Sequence, residues 1–311
     1  MTAAFARRSP AAVAIALATI YLVWGSTYLA IRVTDRTMPP LLMSSVRFLI
    51  AGAALYTFAS RGRVRPTFRE WRAAAIVGAA LLVAGNGGVA WAETRLPSSL
   101  AALLVAMVPL WVALMDRAFL GRRLSSFAIA GLVVGFGGVA LLVRPGGGGD
   151  VLAMLLLVGT TAAWAGGSLY ARGAPLPGSP LLSASMQMLA AGAFLAVAGL
   201  AKGETGDIHS DSFSTKPVIA FVYLTLVGSL IAFSTYAWLL RNVRISLVAT
   251  YAFVNPVVAV ALGTVFLNEK ISWSTIIAGA AIVVAVVLIV AARPPKQPEV
   301  VEVSEPLEAA A

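Results

Sequence analysis

The stretch Ile245-Ser-Leu-Val-Ala-Thr-Tyr-Ala-Phe-Val-Asn-Pro-Val-Val-Ala-Val-Ala-Leu-Gly-Thr-Val-Phe-Leu267 decides the fold of this chain. It is apolar over the length that one helix needs to cross a hydrocarbon core of roughly 30 Å. Asn255 and Pro256 lie at its middle, where the proline removes a backbone donor and frees a carbonyl. Lipid tolerates such a defect only beside other helices, polar side chains or a watery cavity. We therefore predict one continuous helix that borders a polar site.

The same pattern occurs earlier in the chain. One set of residues repeats at a shift of 147 positions: Trp91 with Trp238, Ser99 with Ser246, Leu100 with Leu247, Ala102 with Ala249, Pro109 with Pro256, and Phe119 and Leu120 with Phe266 and Leu267. A second set repeats at a shift of 140: Trp24 with Trp164, Leu29 with Leu169, Arg32 with Arg172, Pro40–Leu42 with Pro180–Leu182, Ser45 with Ser185, and Ala51–Ala53 with Ala191–Ala193. The chain is therefore an internal duplication.

Composition places the chain in lipid. Of its 311 residues, 59% are hydrophobic and 12% are charged, which is too little polar surface for a water-soluble globule of this size. The formal charge of +10 does not indicate a nucleic-acid binder, because Lys and Arg fall in short links between apolar runs. The expected partners are the lipid bilayer and a small-molecule substrate, with no nucleic acid, and a homodimer is left open.

Ten apolar runs are candidates for membrane spans. They cover residues 12–33, 40–60, 73–93, 97–118, 125–143, 151–171, 180–200, 217–239, 245–267 and 272–292. Each half of the duplication holds five of them, and an odd number requires the second unit to enter the membrane upside down relative to the first. The predicted fold class is an all-α membrane protein with ten transmembrane helices in two inverted five-helix repeats.

The predicted organisation has five parts. They are a cytoplasmic N-terminus (1–11), a first repeat (12–145), a linker (146–150), a second repeat (151–293) and a disordered cytoplasmic tail (294–311). With both termini cytoplasmic, the inner links carry fifteen Arg and Lys residues and the outer links seven, as the positive-inside rule requires. The first apolar run lacks a clear small-residue cleavage site, so we interpret it as an uncleaved helix.

No enzyme motif is present. The chain has no cysteine, and its one histidine, His209, lies in an acidic polar loop that is more simply explained as solvated than as a metal site. The glycine run at 146–149 lacks the Lys-Ser/Thr ending of a phosphate-binding loop. No span contains a histidine that could activate a serine nucleophile. We expect no catalytic residue, no cofactor and no metal.

The contrast between spans indicates a shared cavity. The fifth and tenth spans carry no polar side chain over 127–143 and 276–292, so we predict that they are scaffold, with Gly131 and Gly135 as a packing face. Pro109 and Pro256 are predicted structural residues. The other eight spans carry polar or aromatic groups. The predicted substrate-binding residues among these are Trp24, Tyr28, Arg47, Asn86, Trp164, Gln187, Tyr251 and Asn255.

Several of these residues also have a simpler explanation. Trp24 and Trp164 lie near mid-span rather than at the headgroups, but core packing explains this position equally well. An ionised Arg47 inside a span costs about 2.5 to 3.5 kcal/mol, so it should face water, carbonyls or a substrate carboxylate unless it extends to the membrane surface. Asn86 lies among glycines, which permit the close approach of a ligand or of another helix.

Four motifs resemble the EamA branch of the drug/metabolite transporter superfamily. They are Val23-Trp-Gly-Ser-Thr-Tyr28, Val83-Ala-Gly-Asn-Gly-Gly88, Tyr251-Ala-Phe-Val-Asn-Pro-Val257 and Phe266-Leu-Asn-Glu-Lys-Ile-Ser272. The resemblance covers residues 12–292 and is greatest to bacterial inner-membrane YedA-type members. It implies an exporter of amino acids, related metabolites or drugs with a cavity between the repeats. The family's acid after the ninth span is Glu269, whereas the matching place in the first half holds Arg122.

We interpret the chain as a secondary carrier that works by alternating access. Aromatic walls suit a cation and Arg47 suits a carboxylate, so a zwitterionic amino acid fits both, whereas an organic cation or drug does not need Arg47. A channel, a lipid scramblase and a non-transporting scaffold are the alternatives. Because acids are scarce at depth and Glu93 is the one candidate for proton coupling, we expect facilitated or exchange transport.

Overall fold

The computed structural model describes residues 9–61, 65–121, 124–143 and 150–291. Within these ranges the chain forms ten long helical elements, here labelled α1 to α10, with two short 3-10 helices (Glu204–Asp207 and Ser210–Phe213) between α7 and α8, and no strand. The predicted tail, residues 146–149 of the predicted linker, and Arg122 lie outside the described residues.

The helices of the first half are α1 (Pro10–Thr34), α2 (Pro40–Ala59), α3 (Phe68–Glu93), α4 (Ser98–Val105 and Val108–Leu120) and α5 (Ser126–Val143). Those of the second half are α6 (Val151–Gly173), α7 (Pro180–Ala201), α8 (Thr215–Asn242), α9 (Ile245–Val248 and Tyr251–Leu267) and α10 (Trp273–Ala291). Several helices begin where local sequence favours it. Proline opens α1, α2 and α7, and the Asp150 side chain accepts hydrogen bonds from the first turn of α6.

The prediction of one continuous helix over 245–267 is wrong, because α9 is interrupted at Ala249 and Thr250. The corresponding run in the first half is interrupted too, just before Pro109. At both breaks some hydrogen bonds span three residues instead of four, such as Thr250 N to Leu247 O at 3.2 Å. The break in α4 lies just before Pro109, which supplies no N–H to the carbonyl of Val105, so the turn there tightens. The break in α9 lies six residues before Pro256, outside the turn that this proline affects, so Pro256 does not account for it.

Two helices contain a π-helical segment at matching places in the duplication. The segment in α3 is Ala79–Gly87 and the segment in α8 is Leu224–Phe233, which overlap when the halves are superposed at the shift of 147. Sequence pattern did not predict them, because a π-helical turn leaves no distinct signal in a mainly apolar run. Wider turns of this kind are common at functional sites.

The contacts between helices follow the duplication: a pair of helices in contact has a matching pair when the two halves are exchanged. Helix α1 of the first half packs on α8 and α9 of the second, and α6 of the second half packs on α3 and α4 of the first. Helix α2 pairs with α7, and α5 pairs with α10. Swapping the halves leaves this set of pairs unchanged, which is the pattern that a pseudo-two-fold axis generates.

Seven helices among the described residues are long and apolar enough to cross a membrane, by length and composition. They are α1, α2, α3, α4, α6, α7 and α8. The segments Ser126–Leu142, Tyr251–Leu267 and Trp273–Ile289 are shorter apolar helices. The structure is therefore an all-helical bundle built for a membrane, and the count of ten crossing helices stays a prediction.

The α5–α10 pair packs closely through the predicted glycine face. A Cβ added at Gly131 would lie 2.8 Å from the backbone oxygen of Ala285, and Gly135 packs against Leu110 and Ala285. Glycine is therefore needed at both positions for the helices to approach this closely. Pro109 lies in the first turn of the second α4 segment, where its missing donor costs little, whereas Pro256 lies inside the second segment of α9.

Candidate functional site

A cavity of about 50 Å³ lies where α1, α3, α4, α6 and α9 meet. A buried water needs roughly 10–15 Å³ on this scale, so the cavity has room for only a few waters in this conformation. Both halves of the chain line it. Six of the eight predicted substrate-binding residues are among its lining residues: Trp24, Tyr28, Asn86, Trp164, Tyr251 and Asn255.

Four aromatic side chains from four helices form a cluster beside the cavity. The ring of Trp24 lies 5.5 Å from Trp164, 4.8 Å from Tyr236 and 5.2 Å from Tyr251, measured between centroids. The contacts with Trp164 and Tyr251 are edge to face, at 87° and 89°. The electron-rich ring faces of such a cluster attract cations as well as apolar groups.

Hydrogen bonds hold this aromatic cluster in place. The Trp164 Nε1–H donates to the Tyr236 hydroxyl at 3.0 Å, and Ser168 Oγ lies 2.8 Å from the same hydroxyl. Tyr236 was not predicted as a site residue. The available signal was an aromatic hydroxyl inside the eighth predicted span, but its repeat mate is Val89, so the duplication did not mark it.

The glycines around Asn86 let α6 approach α3 at the cavity wall. A Cβ added at Gly85 would lie 2.5 Å from Cε3 of the Trp164 ring, and Gly88 faces Thr160 in the same way. This close approach places Asn86 of the α3 π segment in the cavity lining. The glycines therefore serve helix packing and also leave the asparagine facing the cavity.

The Asn-Pro pair of α9 borders the cavity as well. The Asn255 side chain is 3% exposed, and its amide group lies against the backbone oxygens of Tyr251 at 3.2 Å and Tyr21 at 3.0 Å. Because both of these partners are acceptors, the amide is assigned with its nitrogen facing them as the donor. The Tyr21 hydroxyl contacts the Thr250 hydroxyl at the break in α9. These bonds tie α1 to the irregular part of α9, where proline interrupts regular bonding.

Arg47 lies beside the cavity but does not line it. Its side chain is 2% exposed, with Nε donating to Ser229 Oγ at 2.6 Å and Nη1 donating to Asn86 Oδ1 at 3.3 Å. Arg47 thus joins the π segment of α3 to that of α8. Its burial against these helices excludes an arrangement in which it extends to the membrane surface. Within the described part of the chain it forms no ion pair, so it is a cation with neutral partners.

The structure does not bring Gln187, the repeat mate of Arg47, to the cavity. Gln187 is 3% exposed, and its Nε2 donates to Ser183 Oγ on its own helix at 2.9 Å. It borders a separate void of about 10 Å³ with Tyr236 and Arg241. The two halves therefore differ at this position.

One end of the bundle, here called the Glu93 end, contains the helix termini at Thr34, Pro40, Glu93 and Ser98. Two carboxylates from the second half cap helices of the first half there. The Glu204 carboxylate accepts from the backbone N–H groups of Leu41 and Leu42, both at 3.0 Å. The second half is thus joined to the N-terminus of α2.

Glu269 makes the other such cap. Its carboxylate accepts from Ser98 N at 2.8 Å, Ser98 Oγ at 2.8 Å and Ser99 N at 3.0 Å. Burial raises the pKa of Glu269, but the hydrogen bonds from Ser99 and Ser98 together outweigh burial and hold that pKa below its ordinary value. Glu269 is therefore a charged cap on α4.

Comparison with known proteins gives one family over nearly the whole chain. The model of the EamA-like transporter family matches residues 11–144 and again residues 151–291. The Escherichia coli protein named "Uncharacterized inner membrane transporter YedA" is 40% identical over 278 residues, which cover 88% of this chain and 89% of that protein.

A second relative and one solved structure also align with nearly the whole chain. The "Probable terminal-alkyne amino-acid exporter" of Streptantibioticus cattleyicolor is 27% identical over 278 residues, covering 88% of this chain and 92% of that protein. A solved structure titled "Crystal structure of protein" superposes with a TM-score of 0.65 at 23% identity, covering 90% of this chain and 96% of that one. At this identity the superposition shows the fold alone.

Proposed function

Because the chain belongs to the EamA-like transporter family, we propose that it is a secondary transporter that moves small metabolites across the bacterial inner membrane by alternating access. Amino acids are the proposed cargo, and export is the proposed direction. The observation that carries the proposal is a cavity lined from both halves, with the repeat mates Trp24 and Trp164 in its wall. A site at the junction of two repeats is what alternating access requires.

The proposed topology has ten spans, inverted repeats and both termini in the cytoplasm. The fifteen-to-seven distribution of Arg and Lys supports this orientation. The exchange of packing partners between α1 and α6 supports the two-fold relation of the halves. In this topology the Glu93 end faces the outside, and the break in α9 lies in the inner half of the membrane.

An amino acid would use two parts of the site. Its ammonium group would lie against the rings of Trp24, Trp164 and Tyr251, and its carboxylate would replace the Asn86 oxygen as an acceptor for Arg47. A carboxylate is the better acceptor, because it supplies the negative charge that the present partners of Arg47 lack. The cavity is too small for such a cargo as it stands, so α1 and α6 must move relative to α3, α4, α8 and α9 on binding.

Export of organic cations is the second candidate function. It is favoured by the absence of any charged side chain among the described residues that line the cavity, together with the four clustered aromatic rings. Such a cargo would bind the rings and leave Arg47 with its neutral partners. The two candidates therefore differ in whether Arg47 takes part.

Counterflow in proteoliposomes tests the proposal. Vesicles loaded with one unlabelled solute are diluted into the same labelled solute, using a panel of amino acids, organic cations and sugars. A carrier for amino acids transiently accumulates the labelled amino acid, and Asn86→Ala weakens the effect while the protein remains folded. A channel gives no counterflow and saturates only at very high solute, which would overturn the proposal. Counterflow of organic cations alone would select the second candidate.

A further inference from the structure

Two buried carboxyl groups at the Glu93 end have no hydrogen-bond partner among the described residues. Glu93, the last residue of α3, is 0% exposed, and neither of its side-chain oxygens accepts a hydrogen bond. Asp35 follows the last residue of α1, and both of its carboxyl oxygens are likewise buried without a hydrogen bond. The two groups are close enough to influence each other electrostatically. They form a pair that neither the proposed binding site nor helix packing uses.

The charged groups around the pair do not neutralise it directly. Arg32 of α1 donates from Nη1 to the backbone carbonyl of Glu93 rather than to its carboxyl group. The other groups within electrostatic reach of one or both carboxyls are Tyr28 of α1, Arg47 of α2, and the capping carboxylates Glu204 and Glu269. The last two are engaged with helix termini, and Arg47 is engaged with Asn86 and Ser229. Within the part of the chain that the structure describes, the pair therefore lies among hydrogen-bonded groups without a counter-ion in contact.

The second half makes the matching contact between helices without these carboxyls. Arg172, the repeat mate of Arg32, donates to the backbone carbonyl of Leu240 at 3.2 Å, and Leu240 is the repeat mate of Glu93. The same contact between helices is thus made at both places, once with an acid and once with a leucine. Asp35 corresponds to Pro175. At the two matching places of the second half, neither residue is an acid.

An unpartnered carboxylate is unfavourable in such a place. An ionised carboxyl group buried without a partner costs several kcal/mol, and proteins accommodate it by keeping the group neutral. Burial also holds the pKa of Asp35 well above its ordinary value, although the charge of Arg32 opposes this effect. A buried acid at a position where the matching residue of the second half is leucine is a candidate for a functional proton carrier.

We propose that Glu93 and Asp35 form a proton-binding site in the gate at this end of the transporter. While α1 and α3 are packed together, the pair holds a proton on a carboxyl oxygen. When the gate opens to the outside, the O–H bond breaks, the proton passes to external water, and the carboxylate retains the electron pair. The site is next to the cavity, because Tyr28 and Val89 line the cavity and Tyr28 lies within electrostatic reach of Glu93. The inference rests on the proposed alternating access and orientation.

Proton release on opening makes the gate depend on external pH. Because the closed state binds more protons than the open state, raising external pH favours opening, by up to about tenfold per pH unit for one proton. The proposal differs from the expectation of facilitated or exchange transport, in which the scarcity of acids at depth left Glu93 as the one candidate for proton coupling. The proposal predicts the direction of the effect, since a low external pH favours the closed state of the gate.

Cysteine labelling measures the gate without any cargo. The chain has no cysteine, so Val89→Cys places one thiol in the cavity lining, one turn from Glu93. The full-length variant in oriented vesicles is treated with a membrane-impermeant thiol reagent from outside at several external pH values. The same rates are measured in V89C combined with Glu93→Gln or Glu93→Leu. Dividing the rates removes the titration of the thiol itself.

The expected ratio of V89C to V89C/E93Q rises with external pH by severalfold over one to two units. The leucine variant, which copies Leu240, gives the same result and shows that the effect does not come from misfolding. Asp207→Asn, at an exposed acid of the α7–α8 loop, keeps the V89C profile unchanged. A flat ratio overturns the proposal, and so does labelling from the cytoplasmic side only. Failure to find a transported cargo overturns the proposed function but leaves this measurement readable.

Discussion

The indole rings of Trp24 and Trp164, which occupy the same position in the two halves of the duplication, meet edge to face with centroids 5.5 Å apart. Repeat mates contact each other only where the axis that relates the repeats passes between them. The pair therefore lies at the pseudo-two-fold axis, where both halves reach the cavity. A movement of one half against the other changes this contact directly, and transport should depend on it.

Replacing Trp24 with alanine should lower amino-acid counterflow roughly tenfold, because a ring wall contributes on the order of 1–2 kcal/mol to binding a desolvated cation. Trp24→Phe should keep most of the activity, since the ring face remains. Trp273→Ala is the matched control, because Trp273 is 80% exposed at the start of α10. Equal activity in W24A and W273A would contradict a role for the cluster in binding.

Arg47→Gln should lower counterflow of amino acids about 10- to 100-fold, since a hydrogen bond to a charged group contributes about 1.5–3 kcal/mol. Counterflow of an organic cation that lacks a carboxylate should change little. Arg47→Lys should also be impaired, because an ammonium group cannot bridge Asn86 and Ser229 as the guanidinium does.

The control for Arg47 is its repeat mate. Gln187→Met should leave both cargo classes unaffected, because Gln187 lies outside the cavity. Thermal stability and gel filtration of each variant report on folding. An equal loss for amino acids and organic cations in well-folded R47Q would show that Arg47 only holds α3 and α8 together.

Glu269→Gln should destabilise the protein at neutral pH by about 0.5–2 kcal/mol, because the cap on Ser98 and Ser99 loses its charge and one acceptor. The folded-state pKa of Glu269 is lowered, so its contribution is present above the ordinary value of 4.5 and is lost as pH falls through the folded-state value. The Tm difference from wild type should therefore shrink below pH 4.5. Asp207→Asn should show no difference at either pH.

Gly131→Ala should lower thermal stability, because its Cβ would lie 2.8 Å from the Ala285 backbone oxygen and force α5 and α10 apart. Overpacking of this kind costs typically about 1–3 kcal/mol. Gly137→Ala, on the same helix with nothing within 4 Å of its Cβ, should be neutral. Cargo preference should not change in either variant, since both glycines lie away from the cavity. A shift in preference in G131A would contradict the scaffold role of α5.

Much of the site was accessible from sequence because polar groups inside apolar runs are conspicuous. Trp24, Asn86 and Asn255 were predicted in this way, and the structure places them at one cavity. Gln187 was predicted to bind substrate because it is the repeat mate of Arg47. The structure places Gln187 at a separate void, because the two halves have diverged at this position. Tyr236 was missed for a related reason, since its mate is an ordinary valine.

The sequence by itself determined that the chain lies in a lipid bilayer, that it is duplicated, where most helices start and which family it resembles. Hydropathy, helix-start residues and motif spacing are properties of neighbouring residues, so they can be recognised without knowing how the helices approach one another. Only the tertiary structure decided which polar residues meet, where α4 and α9 are interrupted, and that the carboxyl groups of Glu93 and Asp35 are buried without a hydrogen bond among the described residues. These outcomes depend on the rotation and separation of packed helices, which are set by contacts between residues far apart in the chain.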